Sequence, residues 1–270
     1  MSERSGGIKF GEEATMIHVC LAGATGWVGA PLAAAIRQSD DLSLVAAVAR
    51  RAQGRSLGEL TICGSVAEAL IEPADVFVDF TSASSVRAHV HAALAAGQHV
   101  VVGTSGLTTS DFVELDARAR ACGRGVVAAG NFALSAALLQ RFATEAARHL
   151  PSWEILDWAH ADKPDAPSGT ARELAARLAE VRRPAYALPA EKTIGAPEAR
   201  GAMVDGSRVH SLRLPGHTIG VEVRFGLPDE RLTLTYDGGP GPEPYLAGAL
   251  LAIRRVRDFV GVVRGLDRLI

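Results

Sequence analysis

The stretch MIHVCLAGATGWVG, residues Met16 to Gly29, decides how this chain is read. Met16 to Leu21 is mostly apolar, partly β-branched and runs into a glycine cluster, as a strand buried on both faces of a parallel sheet must. Gly23-Ala24-Thr25-Gly26-Trp27-Val28-Gly29 then sets three glycines at G-x-x-G-x-x-G spacing, and helical periodicity follows from about Trp27 to Ser39. Glycines at a strand-to-helix junction let the backbone turn tightly and approach a pyrophosphate, whose charge the free N–H groups of the helix start favour. Alone, such a loop is also what a plain structural turn looks like, so its surroundings carry the argument.

Working outward, strands are predicted over Leu42 to Ala49, Val76 to Phe80, His99 to Gly103 and Gly125 to Ala129. Helices are predicted between them over Ser84 to Ala96 and Thr109 to Cys122. This alternation predicts a Rossmann-type α/β domain with a parallel sheet covered on both faces, spanning residues 16–130. After Asn131 the pattern changes. A helix over Ala133 to Leu150 leads to a strand over Trp153 to Ala159 and a helix over Thr170 to Val181. Extended runs follow at Arg208 to Leu214, Thr218 to Gly226 and Arg231 to Tyr236. Consecutive strands with few helices predict a smaller α+β domain with an open mixed sheet over residues 131–240. The remaining 241–270, apolar at helical spacing from Tyr245 to Val260, is expected to return as a helix to the first domain.

Composition narrows the class. Hydrophobic residues make up 48% and charged residues 21% of 270, and the net charge of -2 gives no reason to expect nucleic acid or an anionic membrane as partner. Cys20, Cys63 and Cys122 are odd in number and lack metal-ligand spacing, which argues against a disulfide framework or a metal site and for a cytoplasmic setting. Residues 1–15 are polar, without the apolar core of a signal peptide, and are expected to form a flexible tail. No apolar run reaches the roughly 18 residues a membrane span needs.

Candidate binding residues cluster at predicted strand ends, where open α/β sheets hold ligands. The second strand ends in Arg50-Arg51 rather than in the carboxylate that would bond ribose hydroxyls, which suits the 2′-phosphate of NADPH over NADH. Asp79-Phe80-Thr81, Gly103-Thr104-Ser105-Gly106 and Gly130-Asn131-Phe132 end three further strands with small or hydroxylated residues that a nicotinamide and its ribose can approach. The segment His160-Ala161-Asp162-Lys163-Pro164-Asp165-Ala166-Pro167-Ser168-Gly169-Thr170 is the most informative. Its last three residues open a helix, where free N–H groups and two hydroxyls make a carboxylate pocket. Lys163 and His160 add positive charge and a proton source.

In this order, GATGWVG, DFT, GTSG, AGNF, KPDAPSGTA (Lys163 to Ala171), VHSLRLPGH (Val209 to His217) and GALLAIRRV (Gly248 to Val256) resemble the bacterial dihydrodipicolinate reductases of lysine and diaminopimelate biosynthesis. The resemblance implies a homotetramer that transfers hydride from NADH or NADPH to a small, anionic cyclic imine, yielding tetrahydrodipicolinate. It implies that Lys163 is the catalytic lysine beside the substrate nitrogen, that His160 lines the substrate site, and that Ser168, Gly169 and Thr170 hold a carboxylate. The chain departs from the family in two places. The family's paired histidines become Ala159-His160, so its proposed proton donor is absent, and Asp237 to Pro242 replaces a polar, Arg-containing stretch. These departures leave two alternatives beside the lysine-pathway reductase: a paralogue reducing another cyclic imine carboxylate, and an NADPH-binding protein of weak activity.

Overall fold

The computed structural model describes residues 16–270; the expected tail lies outside them. Its first half contains β1 (Ile17–Ala22), α1 (Gly29–Arg37), β2 (Leu42–Val48), β3 (Ser56–Leu57), β4 (Leu60–Thr61), α2 (Val66–Ala69), β5 (Val76–Asp79), α3 (Val86–Ala95), β6 (His99–Val102), α4 (Thr109–Cys122) and β7 (Gly125–Ala128). Then follow α5 (Leu134–His149), β8 (Trp153–Ala159), α6 (Gly169–Ala179), β9 (Ala202–Val204), β10 (Ser207–Arg213), β11 (Ile219–Gly226), β12 (Arg231–Gly238), α7 (Glu243–Arg255) and β13 (Gly261–Arg264).

Six parallel strands form the first sheet in the order β13-β7-β6-β5-β1-β2. They are short because each is a four- to seven-residue apolar run closed by a turn, and β5, β6 and β7 lie almost wholly in the interior. Leu32, Ala33 and Ile36 of α1 pack on one face with Ala249, Ala252 and Ile253 of α7. Val86, Val90 and Leu94 of α3 and Leu115 and Ala119 of α4 cover the other. The boundaries of α4 follow from its caps. Thr108 and Asp111 close a reciprocal capping box at its start, and Gly123, at φ 64°, ends it in the left-handed conformation. Strand order reverses between β1 and β5, so the glycine loop after β1 and the Phe80-Thr81 turn after β5 face the crevice where such sheets hold ligands.

The second sheet runs β12-β11-β8-β10-β9. It is mixed: β10 pairs with β8 in parallel, across the α6 crossover, while β11 pairs antiparallel with β8 and β12. Along β8, Trp153, Ile155, Asp157 and Ala159 alternate inward, and α5 and α6 cover that side through Leu139, Ala143, Leu174 and Leu178. The terminal segment returns to the first sheet as α7 and then contributes β13 beside β7. This edge strand lies beyond the helix expected there and is not among the elements expected from the sequence; Val262 N–H donates to Asp116 of α4 at 2.8 Å and fixes its place.

Candidate active site

The glycine loop is shaped by contacts that exclude side chains. A Cβ on Gly23, which sits at φ 87°, would lie 2.1 Å from the Phe80 carbonyl oxygen, and one on Gly29 would lie 1.9 Å from that of Gly23. Both distances are below any real contact, so these two positions admit only glycine. Gly23 and Ala24 donate to the Val48 carbonyl and Gly26 to that of Gly23, whereas the N–H groups of Trp27 and Val28 have no protein acceptor among the described residues. Unpaired donors at the start of α1 fit a dinucleotide pyrophosphate.

Gly23, Thr25 and Gly26 line a cavity of about 680 Å³ together with Arg50, Arg51, Phe80 and Thr81. Arg50 and Arg51 are exposed, and neither has a carboxylate partner among the described residues. Ala24, Val28 and Gly29 do not line this cavity: Ala24 is packed inside, and Val28 and Gly29 open the helix. The cavity also includes Ser65 and His89, which the sequence reading did not single out. Behind it, the fully buried Asp79 carboxylate ties two loops together. It accepts from Thr81 N–H at 3.1 Å, Thr81 Oγ1 at 2.8 Å and Thr104 Oγ1 at 2.6 Å, and meets His89 Nδ1 at 2.8 Å.

A second cavity, of about 340 Å³, brings Gly103, Thr104, Ser105 and Gly130 against Gly169. Asn131 and Phe132 are buried and do not line it: Asn131 Oδ1 accepts the Ala133 N–H at 2.8 Å, and Phe132 packs on Phe80 with ring centroids 5.6 Å apart. Ser168 and Thr170 are buried, and their hydroxyls are engaged within the protein. Ser168 Oγ accepts the Ala171 N–H as the helix cap, and Thr170 Oγ1 accepts from Asn131 Nδ2 at 3.3 Å. Because both side chains are buried, the anion-holding capacity of this helix start rests on backbone N–H groups such as those of Gly169 and Thr170, which a first turn cannot pair internally. Glu173, one turn on, lines the same cavity and accepts the Gly130 N–H at 2.8 Å. Burial raises its carboxyl to about 7, Asp267 adding to the shift while the Gly130 bond and Arg177 oppose it.

His160 and Lys163 line a third cavity, of about 540 Å³, with Trp27, His217, Thr218, Ile219, Pro240 and Tyr245. Trp27 belongs to the glycine loop, so this space lies between that loop and the Lys163 segment. Lys163 Nζ pairs with Asp165; burial works against the Asp165 charge, but the lysine bond and charge hold its carboxyl below the usual range. The segment is anchored from below. Buried Asp157 accepts the Ser168 N–H at 3.0 Å and Arg213 Nη2 at 2.9 Å, and the same Nη2 reaches the Asp165 carbonyl at 2.6 Å. Asp157 and Arg213 escaped the sequence reading because nothing in β-strand alternation distinguishes an inward carboxylate from a solvated one. Ala159 is wholly buried.

The geometry thus offers three neighbouring features: a cavity along the glycine loop, a second cavity at the α6 helix start, and a third in which the Lys163 amine faces Trp27 of the glycine loop. Comparison with known proteins agrees with it. The family model for the N-terminus of dihydrodipicolinate reductase matches residues 17–132, and that for its C-terminus matches residues 135–269. A 4-hydroxy-tetrahydrodipicolinate reductase from Moorella thermoacetica is 39% identical over 267 residues, covering 94% of this chain and 98% of that one. One from Beutenbergia cavernae is 39% identical over 254 residues, covering 93% and 97%. Among solved structures, a dipicolinate-bound dihydrodipicolinate reductase from a Paenisporosarcina species superposes with a TM-score of 0.80 at 28% identity, over 95% of this chain and 100% of that one.

Proposed function

The chain belongs to the dihydrodipicolinate reductase family, and from that premise we propose that it reduces 4-hydroxy-tetrahydrodipicolinate, by way of the cyclic imine, to tetrahydrodipicolinate in lysine and diaminopimelate biosynthesis. It is an oxidoreductase whose first domain binds a nicotinamide dinucleotide. The observation that carries the reading is the shared cavity: Lys163 faces the space bounded by Trp27 of the glycine loop. When bound, the reduced nicotinamide supplies hydride. The chain's residues supply the rest. Gly23 and Gly26 admit the pyrophosphate, while Gly103, Thr104, Ser105, Gly130, Asn131 and Phe132 shape the nicotinamide side. The Gly169 and Thr170 N–H groups, with Ser168 holding the turn, take a substrate carboxylate. Lys163 sets positive charge beside the substrate nitrogen, and His160 closes the substrate side.

NADPH is the preferred donor in this reading, because two unpaired guanidinium groups follow β2 where a carboxylate would favour NADH. The assembly is a homotetramer built on the face of the mixed sheet that α5 and α6 leave uncovered, where Leu156, Trp158 and the exposed Leu212 alternate outward; light scattering in solution tests it. The three cysteines are unpaired, which suits a reducing cytoplasm. No helix among the described residues is long and apolar enough to cross a membrane.

The decisive assay follows NADPH oxidation with enzymatically generated 4-hydroxy-tetrahydrodipicolinate. Rapid turnover is expected. NADPH binding without turnover would instead leave the paralogue or the weakly active binding protein.

A further inference from the structure

Reduction of a conjugated imine needs a proton as well as a hydride, and β8 ends in Ala159, which has no side-chain proton to give and is wholly buried. The register of the mixed sheet brings another residue to the place where β8 ends. Ile219 pairs with Ala159, and the His160 N–H donates to the Thr218 carbonyl at 3.3 Å, so the turn leading into β11 lies alongside His160. His217, in that turn, lines the cavity that also holds His160, Lys163 and Trp27. Its ring packs against Trp158 with centroids 6.3 Å apart, and the Trp158 indole is itself held by Asp237 of β12 at 2.8 Å.

Among the titratable groups lining the cavity, the two histidines and the lysine differ in their commitments. His160 Nδ1 is bonded to Asp162, and Lys163 Nζ to Asp165. His217 has no hydrogen-bonded or ion-paired side-chain partner among the described residues, and both ring nitrogens are open to the cavity or to water. The charged and titratable groups around it are His160 and Lys163 from the β8–α6 loop, Tyr245 from α7, and Asp237 from β12 behind the Trp158 ring.

We propose that His217 is the general acid of the reduction, reaching the substrate from the turn before β11. This rests on the function proposed above. The hydride brings an electron pair to one end of the conjugated C=C–C=N system, and the displaced π pair takes the proton from the His217 imidazolium. The nicotinamide is oxidised by two electrons, the imine system is reduced by the same two, and the neutral imidazole recovers its proton from water.

The test compares wild type, His217→Gln and His160→Gln in the NADPH-oxidation assay across pH, with cofactor affinity measured separately by fluorescence titration. His217→Gln is expected to lower kcat roughly 10²–10³-fold with the NADPH Kd unchanged within about twofold. It should also abolish the fall of kcat/KM on the basic side, and added imidazole should restore part of the rate. His160→Gln should keep that basic limb. Unchanged kcat with the limb intact in His217→Gln overturns the proposal while leaving the reductase reading standing; no turnover by wild type overturns both. If the glutamine variant does not fold, wild type still decides: the basic-limb pKa must coincide with the His217 C2–H titration followed by NMR, and a mismatch above about one unit removes His217 from the step.

Discussion

The proposed cofactor side and the proposed substrate side are built on opposite terms. Around the glycine loop the chain works by leaving atoms out: Gly23 and Gly29 abut carbonyl oxygens that no Cβ could approach, and the open donors are backbone N–H groups. Around Lys163 it works by placing side chains, through the Lys163–Asp165 and Asp157–Arg213 pairs and the Glu173 bond to Gly130. A site made of backbone is broken by adding an atom and a site made of charges by removing one. The two sides should therefore fail in different observables.

The largest effect is expected from Lys163→Ala. Removing the amine should lower kcat roughly 10²–10³-fold, the cost of losing one preorganised electrostatic contact to developing charge. NADPH affinity should stay within about threefold, since Lys163 lies across the cavity from the glycine loop. Equal losses in kcat and affinity, read by steady-state kinetics and fluorescence titration, would erase the contrast. Gly23→Ala should do the reverse. A methyl at 2.1 Å from the Phe80 carbonyl, on a residue at φ 87°, has to move backbone. A stability loss of about 2–3 kcal/mol and a roughly 10²-fold weaker NADPH complex are expected. Near-normal affinity, with a melting temperature unchanged, would mean that the loop yields freely.

The same contrast explains what the sequence made legible. The parallel sheet could be read because β1, β5, β6 and β7 are short, continuous apolar runs, each closed by a turn residue, and because α4 advertises both of its caps. Backbone-made sites carry a composition signal, so the three glycines and the small residues after β6 and β7 stood out. β13 did not: four residues starting at Gly261, paired on one side only, carry too little pattern. On the substrate side Lys163 was visible from its local motif. Its surroundings were not: Asp157 and Arg213, which anchor its segment through Ser168 and Asp165, and His217, which lines its cavity, come from distant positions that the register of the mixed sheet brings together. The Ser168 and Thr170 hydroxyls show the limit from the other direction: their type suggested an open pocket, but both side chains are buried, their oxygens accepting from the Ala171 N–H and Asn131 Nδ2.

Arg50 is the exception on the cofactor side, a side chain in a backbone-made site, and so it sharpens the comparison. Arg50→Ala should weaken NADPH roughly tenfold, about 1.5 kcal/mol for a charge-assisted contact. NADH, which lacks the 2′-phosphate, should be unaffected. A ratio of the two affinities equal to wild type would remove Arg50 from the cofactor and the preference for NADPH with it.

The smallest effect is expected where the two sides touch. Glu173 of α6 accepts the Gly130 N–H at the end of β7, and Arg172 and Arg177 of α6, Arg264 and Asp267 of the terminal segment and Gln140 of α5 surround it. Burial raises its pKa from 4.5 to about 7. A carboxyl held above its unfolded value lends stability that is complete below pH 4.5 and is lost as pH climbs through about 7, because the unfolded chain ionises first. Glu173→Gln keeps an acceptor for Gly130 but cannot ionise. Its melting temperature should match wild type at pH 5 and exceed it by roughly 2–4 °C at pH 8, the shift that about 1 kcal/mol gives a chain of this size once cavity water has screened part of the charge. If the wild type instead gains stability relative to the variant as pH rises, the carboxylate is favoured at this seam, and the Gly130 bond and the nearby Arg177 charge outweigh burial.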